Sequence, residues 1–356
     1  IIDEASQVSI AQAFPAILRA KKLVVMGDKR QFSNVKASTS SKYINSQHLE
    51  DISKSFQETY GDDAQKIERS KVFNIRVSIL EFFEYITNYD AVLKKHFRGY
   101  PEIISFSSKH FYDNQLQTIK VRAKPIEEVI TFKQLEHDGM EERFKNTNSI
   151  ESNYIIAEIE KLTELESPPT VGVITPMRAQ QKFILSELEK SSKYQDMSKL
   201  NVKVMTFDSC QGEERDVIFY SFVDSPKIDG SENDVSQFVL GKNLDLNNMD
   251  PEENLRLQRL NVGMSRAKEQ IVLVTSKPVA DYGGNAFRIL SHYEQQIVNA
   301  NKLPSADEVD SSSPMEAKVL GWIQQTSFYA NNSENIELKA QFEVGKYLKE
   351  LDPSYN

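Results

Sequence analysis

The chain has 356 residues, 39% hydrophobic and 27% charged, which is enough for two ordinary globular domains with separate cores. A formal net charge of −9 argues against a protein that coats nucleic acid by bulk attraction, while leaving room for a local basic channel. Cys210 is the single cysteine, which excludes an internal disulfide and a cysteine-rich zinc site; the five histidines lack ligand spacing, and with no membrane-length apolar run and no signal-peptide pattern a cytoplasmic protein is expected.

In chain order, residues 1–2 and 23–26 read as short apolar strands joined by a helix over 11–20. Residues 33–63, rich in Ser, Asn, Gln and Asp, read as loop. Val72, Ile75, Ile79, Leu80 and Phe83 share one face of a helix over 72–85. From about residue 90, strands at 128–132, 171–174, 202–205, 217–222 and 270–275 alternate with amphipathic stretches at 152–165 and 179–188. That alternation predicts an α/β fold with a mostly parallel sheet flanked by helices, and a ligand at the carboxyl ends of its strands. Residues 224–250 read as an exposed polar insertion and 301–314 as a linker. A helix then begins near Pro314.

Several segments carry residues dense enough in chemistry to weigh as sites. Ile1-Ile2-Asp3-Glu4-Ala5-Ser6-Gln7 is an apolar strand end delivering adjacent carboxylates. One carboxylate of such a pair can hold Mg²⁺ through its water shell while the next orients or deprotonates an attacking water. Alone, such a pair is more often a solvated loop start. Met26-Gly27-Asp28-Lys29-Arg30-Gln31 is a strand running into a glycine turn, with Gln31 able to reach a phosphate or a water; a plain surface turn is the blander reading. Phe97-Arg98-Gly99-Tyr100-Pro101 sets an arginine before a proline-started helix, where its fork could meet phosphate oxygens or simply face solvent. Ile174-Thr175-Pro176 ends a strand with a hydroxyl that could touch a phosphodiester backbone or cap a helix.

The segment from Thr206 to Asp216 is the most distinctive, because a turn needs no such density of hydroxyl, amide, glycine and carboxylate. In Arg259-Leu260-Asn261-Val262-Gly263-Met264-Ser265-Arg266-Ala267-Lys268, the two arginines seven apart are expected on nearly one helix face.

Taken together these words resemble, in order, motifs II to VI of superfamily 1 helicases, in the branch of the nonsense-mediated-decay helicase and its DNA-replication relatives. The branch words are DEAxQ, GDxxQ, YRxxPxI, ITP, TxDxxQGxE and RLNVAxTRAK, and the resemblance covers roughly residues 1 to 280. Phe97 stands for the usual tyrosine, Gly99 and Tyr100 for Met-His, and Gly263 and Ser265 for Ala and Thr. No charged group is lost. No GxxxxGK[ST] phosphate loop occurs in these residues.

The resemblance implies RecA-like sheets of the P-loop nucleoside-triphosphatase type, with residues 1–90 the carboxyl-terminal part of an incomplete first domain and 91–300 the second. A missing amino-terminal part of the same protein is expected to supply the phosphate loop, leaving these residues inactive alone. With ATP and Mg²⁺ as cofactors, Asp3 would coordinate the metal through water and Glu4 would be the catalytic base. Gln31 would sense the γ-phosphate, and Arg98 and Arg266 would act on the transferring phosphoryl group. Gly212, Glu214 and Arg259 would contact the nucleotide, Glu214 at the ribose. Thr175, Pro176 and Thr206 would meet single-stranded DNA or RNA.

The implied activity is ATP-driven translocation and unwinding, 5′ to 3′. The competing expectation is a helicase-derived nucleic-acid-binding or scaffold module without ATPase activity. For residues 301–356, a docking segment is favoured over the start of a nuclease-like domain. The Ser313-Pro314-Met315-Glu316 opening is similar to such domains in some bacterial helicases, but their Asp…Glu-x-Lys core is not identifiable before Asn356.

Overall fold

Valine and isoleucine dominate the apolar runs between residues 130 and 275, and such runs suit strands buried on both faces. The computed structural model describes residues 1–32, 42–70, 73, 77–84, 86–226, 232–246, 251–301, 314–333, 336 and 338. Among them, five strands form one sheet: β1 (Ile130–Gln134), β2 (Val171–Thr175), β3 (Lys203–Thr206), β4 (Arg215–Ser221) and β5 (Ala267–Thr275). Their order is β1-β5-β4-β2-β3 and every pairing is parallel. All five expected strands therefore lie in a single sheet.

The helices Ser149–Leu162 and Arg178–Lys190 cover one face. Ile155, Ile159, Ile184 and Leu188 pack there on Val171, Val173, Val204, Val217 and Val272. Helices Pro101–Phe111 and Gly284–Asn301 cover the other, tied by the Tyr293 hydroxyl donating to Ile103 O at 2.7 Å. Strand β2 is buried throughout.

The chain divides into two compact units, Ile1–Leu93 with Leu244–Gly263, and Lys94–Asn243 with Met264–Asn356. The sheet belongs to the second. In the first, Ile2 and Val25 form a parallel bridge, with Ile2 N donating to Val24 O and Met26 N to Ile2 O, both at 2.8 Å. Helix Ile10–Ile17 starts with a capping box between Ser9 and Gln12, and helix Ile79–Glu84 with a reciprocal pair between Ser78 and Glu81. Ala5, Ala13 and Ile79 form its buried centre. The segment Leu244–Gly263, expected with the second domain, clusters with this unit.

Four expectations change. Residues 33–63 are not all loop, because Lys42–Tyr60 is a helix. Its apolar stripe is narrow, Leu49, Ile52 and Phe56 half-buried at helical spacing among Ser, Asn, Gln and Glu, so turn-like composition outweighs it in the sequence; Phe56 packs against the rings of Tyr60 and Phe73. Residues 224–250 are not simply exposed. Asp224 is buried and accepts from both the N–H (2.8 Å) and the hydroxyl (2.5 Å) of Ser236, while Val235 and Leu240 join the interior. The helix expected over 72–85 is described only as Ile79–Glu84, with Val72 and Ile75 outside the described residues. Finally, helix Pro251–Met264 stops before Arg266, which leads into β5, so Arg259 and Arg266 do not share a helix face. Pairing of Arg215 with Ala267 draws the backbone into the sheet at that point. Helix Pro314–Gln324 opens on Pro314, and residues 302–313 of the expected linker lie outside the described residues.

Candidate functional site

Asp3 and Glu4 leave the Ile2–Val25 bridge exposed to solvent. Asp3 Oδ1 accepts the Glu4 N–H at 2.9 Å, and Glu4 Oε2 accepts from Gln7 Nε2 at 3.1 Å. Glu4 has φ 51°, ψ 38°, the left-handed region that costs a side-chain-bearing residue about 1–2 kcal/mol. Its neighbour Ala5 is wholly buried and donates to Met26 O at 2.9 Å, so the strained backbone is held from below. Gly27 makes that approach possible, since a Cβ there would sit 3.1 Å from the backbone nitrogens of Ala5 and Ser6.

Beyond Gly27, Asp28 accepts from Arg30 N (2.8 Å) and Gln31 Nε2 (3.1 Å), which fixes the Gln31 amide. Gln258 and Asn261 donate to Lys29 O (3.0 Å) and Arg30 O (2.8 Å). These bonds bring the helix that carries Arg259 onto the Gln31 loop within the first unit.

The second unit gathers both remaining arginines. Arg98 Nε donates to Glu214 Oε2 at 2.5 Å and Nη1 to Ser265 O at 3.1 Å. Arg266, 3% exposed, donates to Ser265 Oγ at 2.9 Å and Glu213 O at 3.4 Å. Burial first, then the Arg98 charge, holds its pKa below the ordinary arginine value. Glu214 also lies 3.4 Å from Lys268 Nζ. Burial would raise its pKa, but the Arg98 bond and the Arg98 and Lys268 charges together bring it below the usual range. Gly212 turns the preceding loop with φ 75° in open space. Cys210 is buried, and that burial pushes its thiol up to about 12, which leaves it inert as a nucleophile.

Thr175 and Thr206 are paired residues at the carboxyl ends of the neighbouring strands β2 and β3. Both side chains are buried, as is Pro176. Thr206 Oγ1 lies 3.2 Å from Ser209 Oγ, and Thr175 Oγ1 lies 3.5 Å from Met177 N. Arg178, Asp208 and Ser209 are the exposed groups beside them.

At the same rim runs a buried polar network absent from the sequence reading. Glu151, fully buried, accepts from Ser221 Oγ (2.6 Å), Val223 N (3.0 Å) and Ser276 Oγ (3.2 Å). Val223 has φ 73°, strained for a β-branched residue. Gln180 accepts from Asn148 N at 2.8 Å and lies 3.0 Å from Ser221 Oγ. The signal that could have found it is the Asn148-x-x-Glu151 spacing of a helix start. His96 was missed as well; its ring accepts the Gly99 N–H at 3.1 Å.

Residues 75–278 match the AAA domain family. The chain is similar to an uncharacterized ATP-dependent helicase, MG140, of Mycoplasma genitalium, 25% identical over 80% of this chain and 23% of that protein. It is 26% identical to Helicase sen1 of Schizosaccharomyces pombe, over 77% of this chain and 14% of the relative. It is 24% identical to ATP-dependent helicase upf1 of the same organism, over 78% and 26%. The chain thus spans about a quarter or less of the length of these relatives. Among the described residues no helix is long and apolar enough to cross a membrane. With the family match covering more than half of its residues, the chain belongs to this AAA domain family, in the company of superfamily 1 helicases.

Proposed function

We propose that this chain is part of an ATP-dependent superfamily 1 helicase, a motor that moves along single-stranded DNA or RNA and separates its partner strand. The observation that supports it most is the pair of guanidinium groups, Arg98 and Arg266, gathered from distant segments around Ser265 and the Glu213–Glu214 peptide. Two cations kept this close favour a polyanion, and a phosphoryl group in transfer spreads its charge over oxygens that suit guanidinium forks.

In this reading Asp3 helps to hold Mg²⁺ through water, and Glu4 orients or deprotonates the attacking water. Their oxygens are hard donors. Mg²⁺ takes one or two carboxylates beside substrate phosphates, and among the described residues no cluster of three ligating groups forms a cage. Bound there, the ion would neutralise phosphate charge. Gln31, oriented by Asp28, reads the γ-phosphate, while Gly212 and Arg259 add nucleotide contacts. Thr175, Pro176 and Thr206 shape a rim on which backbone groups, with Arg178 and Ser209, meet the nucleic-acid backbone. Nucleotide binding also needs a phosphate loop from outside these 356 residues.

The test is steady-state ATPase kinetics on the natural polypeptide with single-stranded nucleic acid at saturation. Arg266→Ala should lower kcat by about 10³-fold or more, and Arg266→Lys should recover little, because a point charge cannot reproduce a planar fork. An unchanged turnover number would leave Arg266 a structural residue and favour a binding module without ATPase activity.

A further inference from the structure

We infer that Glu214, together with His96, forms a seat that presents Arg98 to the nucleotide, a positioning role that rests on the ATPase reading above. Arg98 lies in the short connection between strand Lys95–His96 and helix Pro101–Phe111. Left without partners, a long side chain in such a connection would sample many rotamers. Three features remove that freedom.

The first is the turn itself. His96 Nε2 accepts the Gly99 N–H at 3.1 Å, closing the chain around Arg98. That bond requires an unprotonated nitrogen. Burial, with the charges of Arg98 and Arg266, holds the ring neutral by pushing its pKa down to about 4. The second is Gly99, where a Cβ would come 3.0 Å from Ala267 O, so the turn lies flat on the start of β5. The third is the engagement of the guanidinium at two of its three nitrogens, by Glu214 Oε2 at Nε and Ser265 O at Nη1. Nη2 keeps its two N–H groups for a ligand.

Glu214 is itself fixed, because its second oxygen faces Lys268 Nζ at 3.4 Å. Both oxygens are thus in use within the protein. A ribose contact, the role implied by the resemblance, would require one of them to turn away. Preset donors matter most where charge develops in a transition state, since they need not reorganise during the reaction. Glu214 is 43% exposed at its side chain, so its removal leaves no cavity in the core.

The experiment is ATPase kinetics on the natural polypeptide with ATP and 2′-deoxy-ATP, comparing Arg98→Ala, Glu214→Ala, His96→Ala and His96→Gln. Glu214→Ala should lower kcat toward the level of Arg98→Ala, by about 10- to 100-fold, with KM and the preference for ATP over the deoxy form unchanged. Combining Arg98→Ala with Glu214→Ala should add little further loss. His96→Gln, whose amide oxygen can accept the Gly99 N–H, should keep most of the turnover that His96→Ala loses. A raised KM with collapsed ribose preference at normal kcat would assign Glu214 to the sugar and overturn the seat. Normal turnover of Glu214→Ala beside a deficient Arg98→Ala would overturn the seat alone, whereas normal turnover of Arg98→Ala would remove the ATPase assignment of Arg98 and the seat with it.

Discussion

At Glu151 a carboxyl group sits fully buried, and burial pushes its pKa up to about 8 even though Ser221, Val223 and Ser276 donate to it. Asp224, also raised by burial, reaches about 6. In the unfolded chain both would ionise in the ordinary carboxylate range. Between that range and the folded values, the folded protein keeps protons that the unfolded chain has released. Stability is therefore fully present at low pH and falls as pH rises through this window, with a slope for each group of at most about 1.4 kcal/mol per pH unit. Above about pH 8 the Glu151 contribution levels off. Glu151→Gln retains an acceptor oxygen and has no proton to lose. Its thermal midpoint should drop less between pH 5 and pH 8 than that of the unsubstituted protein; parallel curves would show that Glu151 carries no such linkage.

Among elements, β2 shows how a single residue type is set by its surroundings. Gly172 lies mid-strand between β4 and β3, and a Cβ there would meet Ile218 Cδ1 at 2.5 Å, Met205 Cε at 3.1 Å and Arg215 Cγ at 3.2 Å. Glycine in a strand interior is normally a weakness, yet here it leaves room for the side chains of both neighbours. Gly172→Ala should destabilise by about 1–3 kcal/mol, as overpacking does in a filled core, and urea unfolding of the variant measures it directly. An unchanged midpoint would mean that Ile218 and Met205 shift aside without strain. Two of the departures from expectation have causes in the elements themselves. Helix Lys42–Tyr60 carries only a narrow apolar stripe, Leu49, Ile52 and Phe56, within a stretch rich in Ser, Asn, Gln and Glu. Helix Pro251–Met264 ends early because Ala267 is claimed by the sheet.

For the whole molecule, each unit carries its own interior, centred on Ala5, Ala13 and Ile79 in one and on the parallel sheet in the other. Carboxylates and Gln31 lie in the first, Arg98 and Arg266 in the second, and the turnover we propose needs both together with a phosphate loop. Backbone amides and the lysine of such a loop are the main cradle of a triphosphate. The 356-residue chain by itself should accordingly show no ATP turnover above background, with or without single-stranded nucleic acid. Robust stimulated turnover would mean that the triphosphate is held by groups other than a phosphate loop.

The sequence by itself determined the strand–helix alternation, the parallel sheet and the order of the chemical motifs, because periodicity and turn chemistry are local. Thr175, Thr206 and the carboxyl ends of their strands could be placed from those patterns alone. Only the tertiary structure decided that Thr175 and Thr206 stand side by side, that Arg266 leaves its helix, and that Glu214 grips Arg98 across 116 positions of chain. It alone also buried Glu151 among hydroxyls. Ion pairs and buried polar bonds between distant segments leave no local period to read; they exist only once strand order has brought their partners together.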